Sequence, residues 1–157
     1  MEVVIFLTLT WVIVGTLLFQ KKELVFIENL ILFLFFMFVN KNVLTLLSIN
    51  LEMIEYSKEK HLFICFFLLR NIIAPFLMLI FVNAAFHKSM LSRIGWGIFM
   101  IIVGLLFEAL AIELEILHYK KWSYGWSFIL AILYFGTALG ISKLYRHLLH
   151  KEGVVKV

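Results

Sequence analysis

The sequence predicts an all-α bundle of five membrane-spanning helices, and three observations lead to that fold class. Of its 157 residues, 64% are hydrophobic and only 15% are charged, whereas soluble domains are about half apolar and about a quarter charged. The apolar residues fall into five runs near the ~20-residue length that crosses a bilayer. Trp and Tyr gather at the ends of the later runs, as rings with one polar edge do at membrane interfaces. The lipid bilayer is therefore the first predicted partner of the chain.

The five predicted spans form one transmembrane helical domain over residues 1–157. They cover about residues 3–19, 24–39, 62–82, 94–117 and 124–145. The second is the shortest and contains Glu28 and Asn29, so a four-span bundle is the alternative. In the link over residues 40–61, the spacing of apolar residues fits helix and strand about equally, and its secondary structure stays open.

The orientation follows from Lys and Arg in the loops, because cytoplasmic loops carry an excess of both. With five spans, one side of the membrane receives Lys21, Lys22, Lys88, Arg93, Lys143, Arg146, Lys151 and Lys156. The other side receives Lys41, Lys58, Lys60, Lys120 and Lys121, diluted by Glu52, Glu55 and Glu59. We therefore predict the N-terminus outside and the C-terminus in the cytoplasm.

Two charged residues are predicted deep in the bilayer, where each costs roughly 2.5–3.5 kcal/mol on insertion scales. Arg70 lies about halfway along the third span, and Glu108 in the fourth span has a similar depth. The hypothesis is an Arg70–Glu108 ion pair with Asn71 beside it, an intramembrane polar cluster. The pair either fixes helix register or handles an ion, a proton or a substrate.

Pro75 predicts a kink near the same place. Proline has no N–H, so the carbonyl of Asn71 should lose its helical partner. Interrupted helices at this depth form binding sites in transporters. The alternative is a plain kink whose free carbonyl is satisfied by a neighbouring helix.

Two further features concern the fourth and fifth spans. Helical spacing places Glu108 and Glu115 on one face, and with Glu113 they suggest an acidic lining that leads from the outer side; the alternative is that Glu113 and Glu115 are solvated at the interface. Gly136 and Gly140 form a GxxxG pattern, which predicts close helix packing within the bundle or between copies.

No residues predict an established catalytic centre, and neither a cofactor nor a metal is expected. The acidic residues are all Glu, and Cys65 is the single cysteine, so Asp-based triads and Cys-rich metal sites are excluded. No glycine-rich phosphate loop or nucleic-acid module occurs, and we expect no nucleic-acid partner.

Two segments have a characteristic order of residues, NLEMIEYSKEKHLFICFFLLRNIIAPFLMLIFVN over residues 50–83 and WSYGWSFILAILYFGTALGISKLYRHLL over residues 122–149. In the first, Arg70 is followed by an Ile-rich stretch, Pro75 and a closing Asn83; in the second, Trp and Tyr lead into a span that ends Lys-Leu-Tyr-Arg. These segments resemble a functionally uncharacterised family of small multi-span membrane proteins from endospore-forming Bacillus-type bacteria. The resemblance implies a bacterial cytoplasmic or spore membrane. It implies no active residues.

Three functions are open from the sequence. The preferred one is a non-enzymatic partner or scaffold for another membrane protein, or for itself, because catalytic motifs are absent and the loops are short. The second is a channel or transporter subunit that uses the Arg70 and Glu108 site. The third, least favoured, is an intramembrane enzyme acting on lipid through Glu115 and His118, which lack a nucleophile or a metal set beside them.

Overall fold

The computed structural model of the chain describes residues 1–86 and 88–151, with side chains to residue 148. Along these residues the helices are α1 Glu2–Phe19, α2 Phe26–Thr45, α3 Lys60–Leu68, α4 Ala74–Ala85, α5 Met90–Glu113 and α6 Tyr124–Lys151. The strands are β1 Ile54–Tyr56 and β2 Leu117–Tyr119. A π-helical turn, Leu46–Asn50, prolongs α2, and a second, Leu69–Ile73, joins α3 to α4.

Five helical stretches of the described chain are long and apolar enough to cross a membrane, and the predicted fold class is confirmed. The third stretch, Lys60–Ala85, combines α3, the second π turn and α4. Large apolar side chains such as Trp11, Phe38 and Leu133 face away from the core and are more than half exposed. A bilayer is the solvent that suits such faces. The chain is therefore a multi-pass helical membrane protein.

The second span is longer than predicted, because its helix does not end near residue 39. It runs over Phe26–Asn50. Asn42 Nδ2 donates to the Phe38 carbonyl at 2.7 Å, and Ser48 Oγ donates to the Leu44 carbonyl at 2.7 Å. Side chains that bond back to their own helix let polar residues continue it. The part of the link left open by the sequence is thus helical to residue 50 and becomes a strand at Ile54.

The fourth span ends earlier than predicted, at Glu113 and not at residue 117. The Ile116 N–H donates to the Ala111 carbonyl at 2.9 Å, and the Glu115 N–H donates to the Ile112 carbonyl at 3.0 Å. These two bonds make a Schellman motif, whose C′ residue is left-handed. Glu115 holds that position with φ 56°, and Ile116 behind it is fully buried.

A two-stranded ribbon covers one end of the bundle. Strand β1 pairs antiparallel with β2, so that Ile54 lies opposite Tyr119 and Tyr56 opposite Leu117. Ile54 and Leu117 are buried, which directs one face of the ribbon onto the helices. We call this the ribbon end of the bundle.

The opposite end, which we call the hairpin end, is fastened by Asn83 of α4. Its Oδ1 accepts from the N–H groups of Glu23 at 3.1 Å and Leu24 at 3.2 Å. Its Nδ2 donates to Asn29 Oδ1 at 2.7 Å and to the Leu79 carbonyl at 3.0 Å. One buried amide thereby ties the α1–α2 turn to α4.

Glu28 lies in the first turn of α2, which explains a carboxyl group inside the second span. Glu28 Oε2 accepts from the Val25 N–H at 2.7 Å. An acidic side chain that caps a helix N-terminus is favourable there. Of the basic residues behind the predicted orientation, Lys156 and the side chain of Lys151 lie outside the described part of the chain.

Candidate functional site

A cavity of about 180 Å³ lies between α2, the third span, α5 and α6. The buried faces of Ile54 and Leu117 in the ribbon close one side of it. Its walls are mostly apolar. The side chains with polar groups on its lining are Asn40, Arg70, Glu108, Ser127 and Tyr134. We call this cavity the chamber.

The π turn before Pro75 brings Arg70 to the chamber. In a π turn each carbonyl bonds five residues ahead, and five residues after Arg70 stands Pro75, which has no N–H. Asn40 Nδ2 donates to the Arg70 carbonyl at 2.6 Å. Pro75 therefore leaves the carbonyl of Arg70 without a helical partner, and Asn40 of another helix supplies one. The sequence predicts a free carbonyl at Asn71 instead.

The guanidinium of Arg70 is directed toward α2. Its Nη2 donates to the Lys41 carbonyl at 3.0 Å and to Thr45 Oγ1 at 3.3 Å. Its Cζ lies 5.8 Å from the centroid of the Phe66 ring. The Arg70 Nε is buried and has no hydrogen-bond partner.

Glu108 lies on the opposite wall, where α6 supplies its partner. Ser127 Oγ donates to Glu108 Oε1 at 2.8 Å and accepts from Trp122 Nε1 at 2.7 Å. The Tyr119 hydroxyl lies 3.0 Å from Ser127 Oγ. Since the single serine hydrogen goes to Glu108, Tyr119 is the donor to Ser127.

Tyr119 keeps its proton for this network. Burial raises the pKa of the Tyr119 phenol above its ordinary value, and the neighbouring Glu108 carboxyl raises it further. The ribbon end therefore supplies two donors, Tyr119 and Trp122, that converge on Ser127 behind Glu108.

The predicted Arg70–Glu108 ion pair is wrong. Both residues line the chamber, but their charged groups form no ion pair within 4 Å; the guanidinium bonds to α2 and the carboxylate to Ser127 of α6. Each charged side chain forms its hydrogen bonds with a neighbouring helix, Arg70 with α2 and Glu108 with α6. The two residues consequently line one cavity from different helical spans without contacting each other.

Asn71 bonds to neither charged side chain. Its Nδ2 donates to the Phe67 carbonyl of its own helix at 3.1 Å. It lies outside the chamber lining and shares a surface groove with Arg70 and Phe38. Pro75 is buried in the bundle and sits at the start of α4, directly after the π turn.

The structure places Glu113 and Glu115 outside the predicted acidic lining, and it places Gly136 and Gly140 outside the packed interior of the bundle. Glu113 and Glu115 are exposed and lie outside the chamber lining, because α5 ends at Glu113 and Glu115 turns away in the left-handed conformation. Gly136 and Gly140 are exposed, with nothing within 4 Å of a Cβ built at either. Close packing of these glycines inside the bundle is therefore excluded, and packing between copies stays a prediction.

Several site residues have weak signals in the sequence. Ser127, Tyr134 and Asn40 are single polar residues within apolar runs, and nothing in their spacing pairs them with Glu108 or Arg70. The hydroxyl of Tyr134 is buried and has no hydrogen-bond partner. The one available signal was the polar and aromatic stretch over residues 122–127, at the start of the fifth span.

The described residues contain no group of three or more His, Cys, Asp or Glu placed to hold a metal ion. Glu115 and His118, the pair named for an enzymatic function, are both exposed on the ribbon side.

Comparison of the chain with protein-family models, with curated proteins and with solved structures finds no match. The fold alone defines the class, a five-span helical membrane protein.

Proposed function

We propose that this protein is a non-enzymatic membrane protein that binds a small, mostly apolar molecule in the chamber. The observation that carries the proposal is that Arg70 and Glu108 line one mostly apolar cavity without forming an ion pair with each other. Fixing helix register explains a direct ion pair well. It explains two separated charges around a cavity less well.

The size and donors of the chamber indicate the class of ligand. An engineered apolar cavity of about 150 Å³ in another protein binds benzene, and the chamber has about 180 Å³. Arg70 and Tyr134 line the chamber, and each has a buried group without a hydrogen-bond partner, Arg70 Nε and the Tyr134 hydroxyl. Buried donors gain free energy from an acceptor. The fitting ligand is ring-sized and carries a carbonyl oxygen.

The test fills the chamber without changing any polar group. Gly104 lines the chamber and has open space where a side chain would go. Protein in nanodiscs is titrated with cyclohexanone, or with cyclohexane as the ligand without an acceptor, and the melting temperature is followed. We expect cyclohexanone to raise the Tm of the native chain more than cyclohexane does, and Gly104→Leu to abolish that difference.

The matched control is Gly95→Leu, which makes the same change on the same helix at an exposed site outside the chamber. It should keep the full response to cyclohexanone. Both probes also dissolve in the bilayer, and that effect is common to all variants. Equal responses in Gly104→Leu and Gly95→Leu would disprove the proposal.

If the protein also moves the bound ligand or an ion past Arg70 and Glu108, it is a channel or transporter subunit. Its test is flux into liposomes that contain the purified chain. Flux should disappear in Glu108→Gln while the fold survives, because the amide keeps an oxygen for Ser127 but carries no charge. Unchanged flux in Glu108→Gln, or no flux from the native chain, restricts the function to binding.

A second candidate function is a partner or scaffold for another membrane protein, and the face of α6 favours it. Gly136 and Gly140 present bare backbone to the lipid side, and small residues four apart let a second helix approach closely. Native mass spectrometry in mild detergent should show a dimer or a fixed partner that Gly136→Leu removes. Gly15→Leu on α1, which also has open space, should leave the assembly intact.

We place the protein in a bacterial cytoplasmic or spore membrane, with its C-terminus in the cytoplasm. The support is the resemblance of residues 50–83 and 122–149 and the distribution of Lys and Arg. Single cysteines introduced at each end of a Cys65→Ser chain and labelled from outside intact cells test this. Only the N-terminal cysteine should react.

A further inference from the structure

A second opening lies at the hairpin end, between α1 and α5 with α4 as its floor. It is a groove of about 760 Å³, which we call the α1–α5 groove. The apolar residues on its lining are Ile13, Leu77, Ile80, Ala84, Trp96, Phe99, Met100 and Val103. The residues with polar side chains on its lining are Thr16, Gln20, Lys21, Glu23, Asn83 and Lys88.

Most of the polar groups of the groove gather at one end. Along α5 its apolar wall extends from Trp96 to Val103, a length of about 10 Å at 1.5 Å per residue. Gln20, Lys21, Glu23 and Lys88 lie in the loops at the hairpin end, where the two lysines outnumber the one carboxylate on the lining. The groove therefore has a cationic mouth and an apolar depth, the same order of charge and hydrocarbon as in an anionic lipid.

The two lysines at the mouth differ in their partners. Lys21 Nζ lies 3.3 Å from Glu23 Oε1. Lys88 Nζ lies 4.8 Å from the centroid of the Trp96 ring, and among the described residues it forms no ion pair with a carboxylate. Lys88 therefore offers a positive charge to a ligand at the membrane interface, and Trp96 holds that charge at the mouth.

Gln20 favours a ligand that carries a hydrogen-bond donor. Its Nε2 donates to the Ile80 carbonyl at 3.0 Å, which fixes the orientation of the amide. Gln20 Oε1 is buried and has no hydrogen-bond partner. A phosphate oxygen cannot satisfy an acceptor, but a hydroxyl beside the phosphate can.

We propose that the α1–α5 groove binds one phosphatidylglycerol molecule. Its phosphate lies against Lys88, with Lys21 nearby, and a glycerol hydroxyl donates to Gln20 Oε1. An acyl chain follows the apolar wall between Trp96 and Val103. A transmembrane helix of another protein would fill the apolar depth but leave both the charge of Lys88 and the acceptor of Gln20 unmatched. Leu77 and Met100 line both the groove and the chamber, but the lipid proposal does not rest on the function proposed for the chamber.

The test measures which lipids stay with the full-length protein. Purified chain is exchanged into micelles with equal amounts of phosphatidylglycerol, phosphatidic acid and phosphatidylcholine, and native mass spectrometry counts the bound lipids. Near a membrane surface each lysine contributes roughly a fivefold preference for an anionic lipid. We expect one tightly held phosphatidylglycerol, a loss of about that size in Lys88→Gln, and no loss in Lys22→Gln, since Lys22 is the neighbouring lysine outside the groove.

Two further variants separate the headgroup from the acyl chain. Gln20→Met keeps the length of the side chain and removes the acceptor, so phosphatidylglycerol should lose its advantage over phosphatidic acid, which has no glycerol headgroup. Ala84→Phe fills the floor of the groove and should expel the lipid whatever its headgroup, with the melting temperature as a check on folding. Equal losses in Lys88→Gln and Lys22→Gln, an unchanged lipid in Ala84→Phe, or a polypeptide bound in place of lipid would overturn the proposal.

Discussion

Two buried polar networks, one at each end of the bundle, differ in how far their hydrogen-bonding capacity is filled. At the hairpin end, Asn83 uses all four of its hydrogen-bonding positions, two as acceptor and two as donor. Toward the ribbon end, Arg70 and Glu108 have only part of their capacity filled, and both line a cavity of about 180 Å³. A buried amide with every position filled indicates a structural role. Incompletely satisfied groups around a cavity indicate a place for a ligand.

This difference also determines what each network can tolerate. A saturated network loses several bonds at once when its central member is removed, and each buried group left without a partner is costly. A network with unfilled capacity has alternative partners to which its members can turn. The predictions below use that contrast, from the largest expected effect to the smallest.

Asn83→Leu should cause the largest loss of stability. It removes the acceptor of the Glu23 and Leu24 N–H groups and the donor to Asn29 Oδ1, and each such loss costs about 1–3 kcal/mol. We expect a decrease in the free energy of unfolding of about 3 kcal/mol or more, measured by denaturant titration in mixed micelles. Asn71→Leu is the matched control, because Asn71 bonds only to its own helix. Comparable losses in the two variants would contradict the contrast between the two ends.

Ser127→Ala should cost less, about 1–3 kcal/mol. The change removes the donor to Glu108 and the acceptor shared by Tyr119 and Trp122. The chamber beside them gives the freed groups room to find new partners. Indole fluorescence in the folded state should shift as Trp122 loses its hydrogen bond. A loss larger than that of Asn83→Leu would reverse the proposed order of the two ends.

Glu115→Gly should stabilise the protein by about 1 kcal/mol. Glu115 has φ 56°, and a left-handed residue with a Cβ costs roughly 1–2 kcal/mol that glycine avoids. Glu113→Gly is the control with the opposite sign, because Glu113 still belongs to α5 and glycine costs about 1 kcal/mol within a helix. Thermal unfolding of both variants measures this. A decrease in stability for both would remove the Schellman motif as the reason why α5 ends here.

Glu55→Gln should have the smallest effect. Glu55 Oε2 lies 2.9 Å from Lys120 Nζ on the exposed side of the ribbon, and this ammonium lowers the pKa of the Glu55 carboxyl. A lowered pKa stabilises the fold above the ordinary carboxyl range, and the stabilisation disappears as the pH falls through the folded pKa. The Tm of the variant should lie slightly below that of the native chain at pH 7, and the gap should close in acid and in high salt. A difference in Tm between the native chain and Glu55→Gln that increases as the pH falls would contradict a lowered pKa for Glu55.

The five spans could be predicted because hydropathy and length act along the chain, residue by residue. The ends of the second and fourth spans could not. Asn42 continues α2 by bonding to its own helix, and Glu115 ends α5 in a conformation that its residue type disfavours. Both outcomes depend on local backbone geometry that composition does not encode.

The candidate site was predictable only in part, for a related reason. The depths of Arg70 and Glu108 placed them near one another, and both do line the chamber. The hydrogen-bond partner of each charged side chain depends on how the helices are rotated about their axes. In the structure Arg70 bonds to Thr45 and Glu108 bonds to Ser127. Asn83 forms four side-chain hydrogen bonds, yet in the sequence it is one more amide at the end of a span.

The central claim is that the chamber binds a ring-sized molecule, and the most direct measurement locates that molecule in the bundle. Methyl-labelled methionines in nanodiscs would be monitored by NMR for magnetisation transfer from cyclohexanone. Met78 lines the chamber, whereas Met90 is 76% exposed and reports contact with probe dissolved in lipid. We predict transfer to Met78 that saturates with concentration and disappears in Gly104→Leu, while transfer to Met90 rises without saturation in both proteins. Transfer to Met78 that does not saturate, or that survives in Gly104→Leu, would contradict the claim.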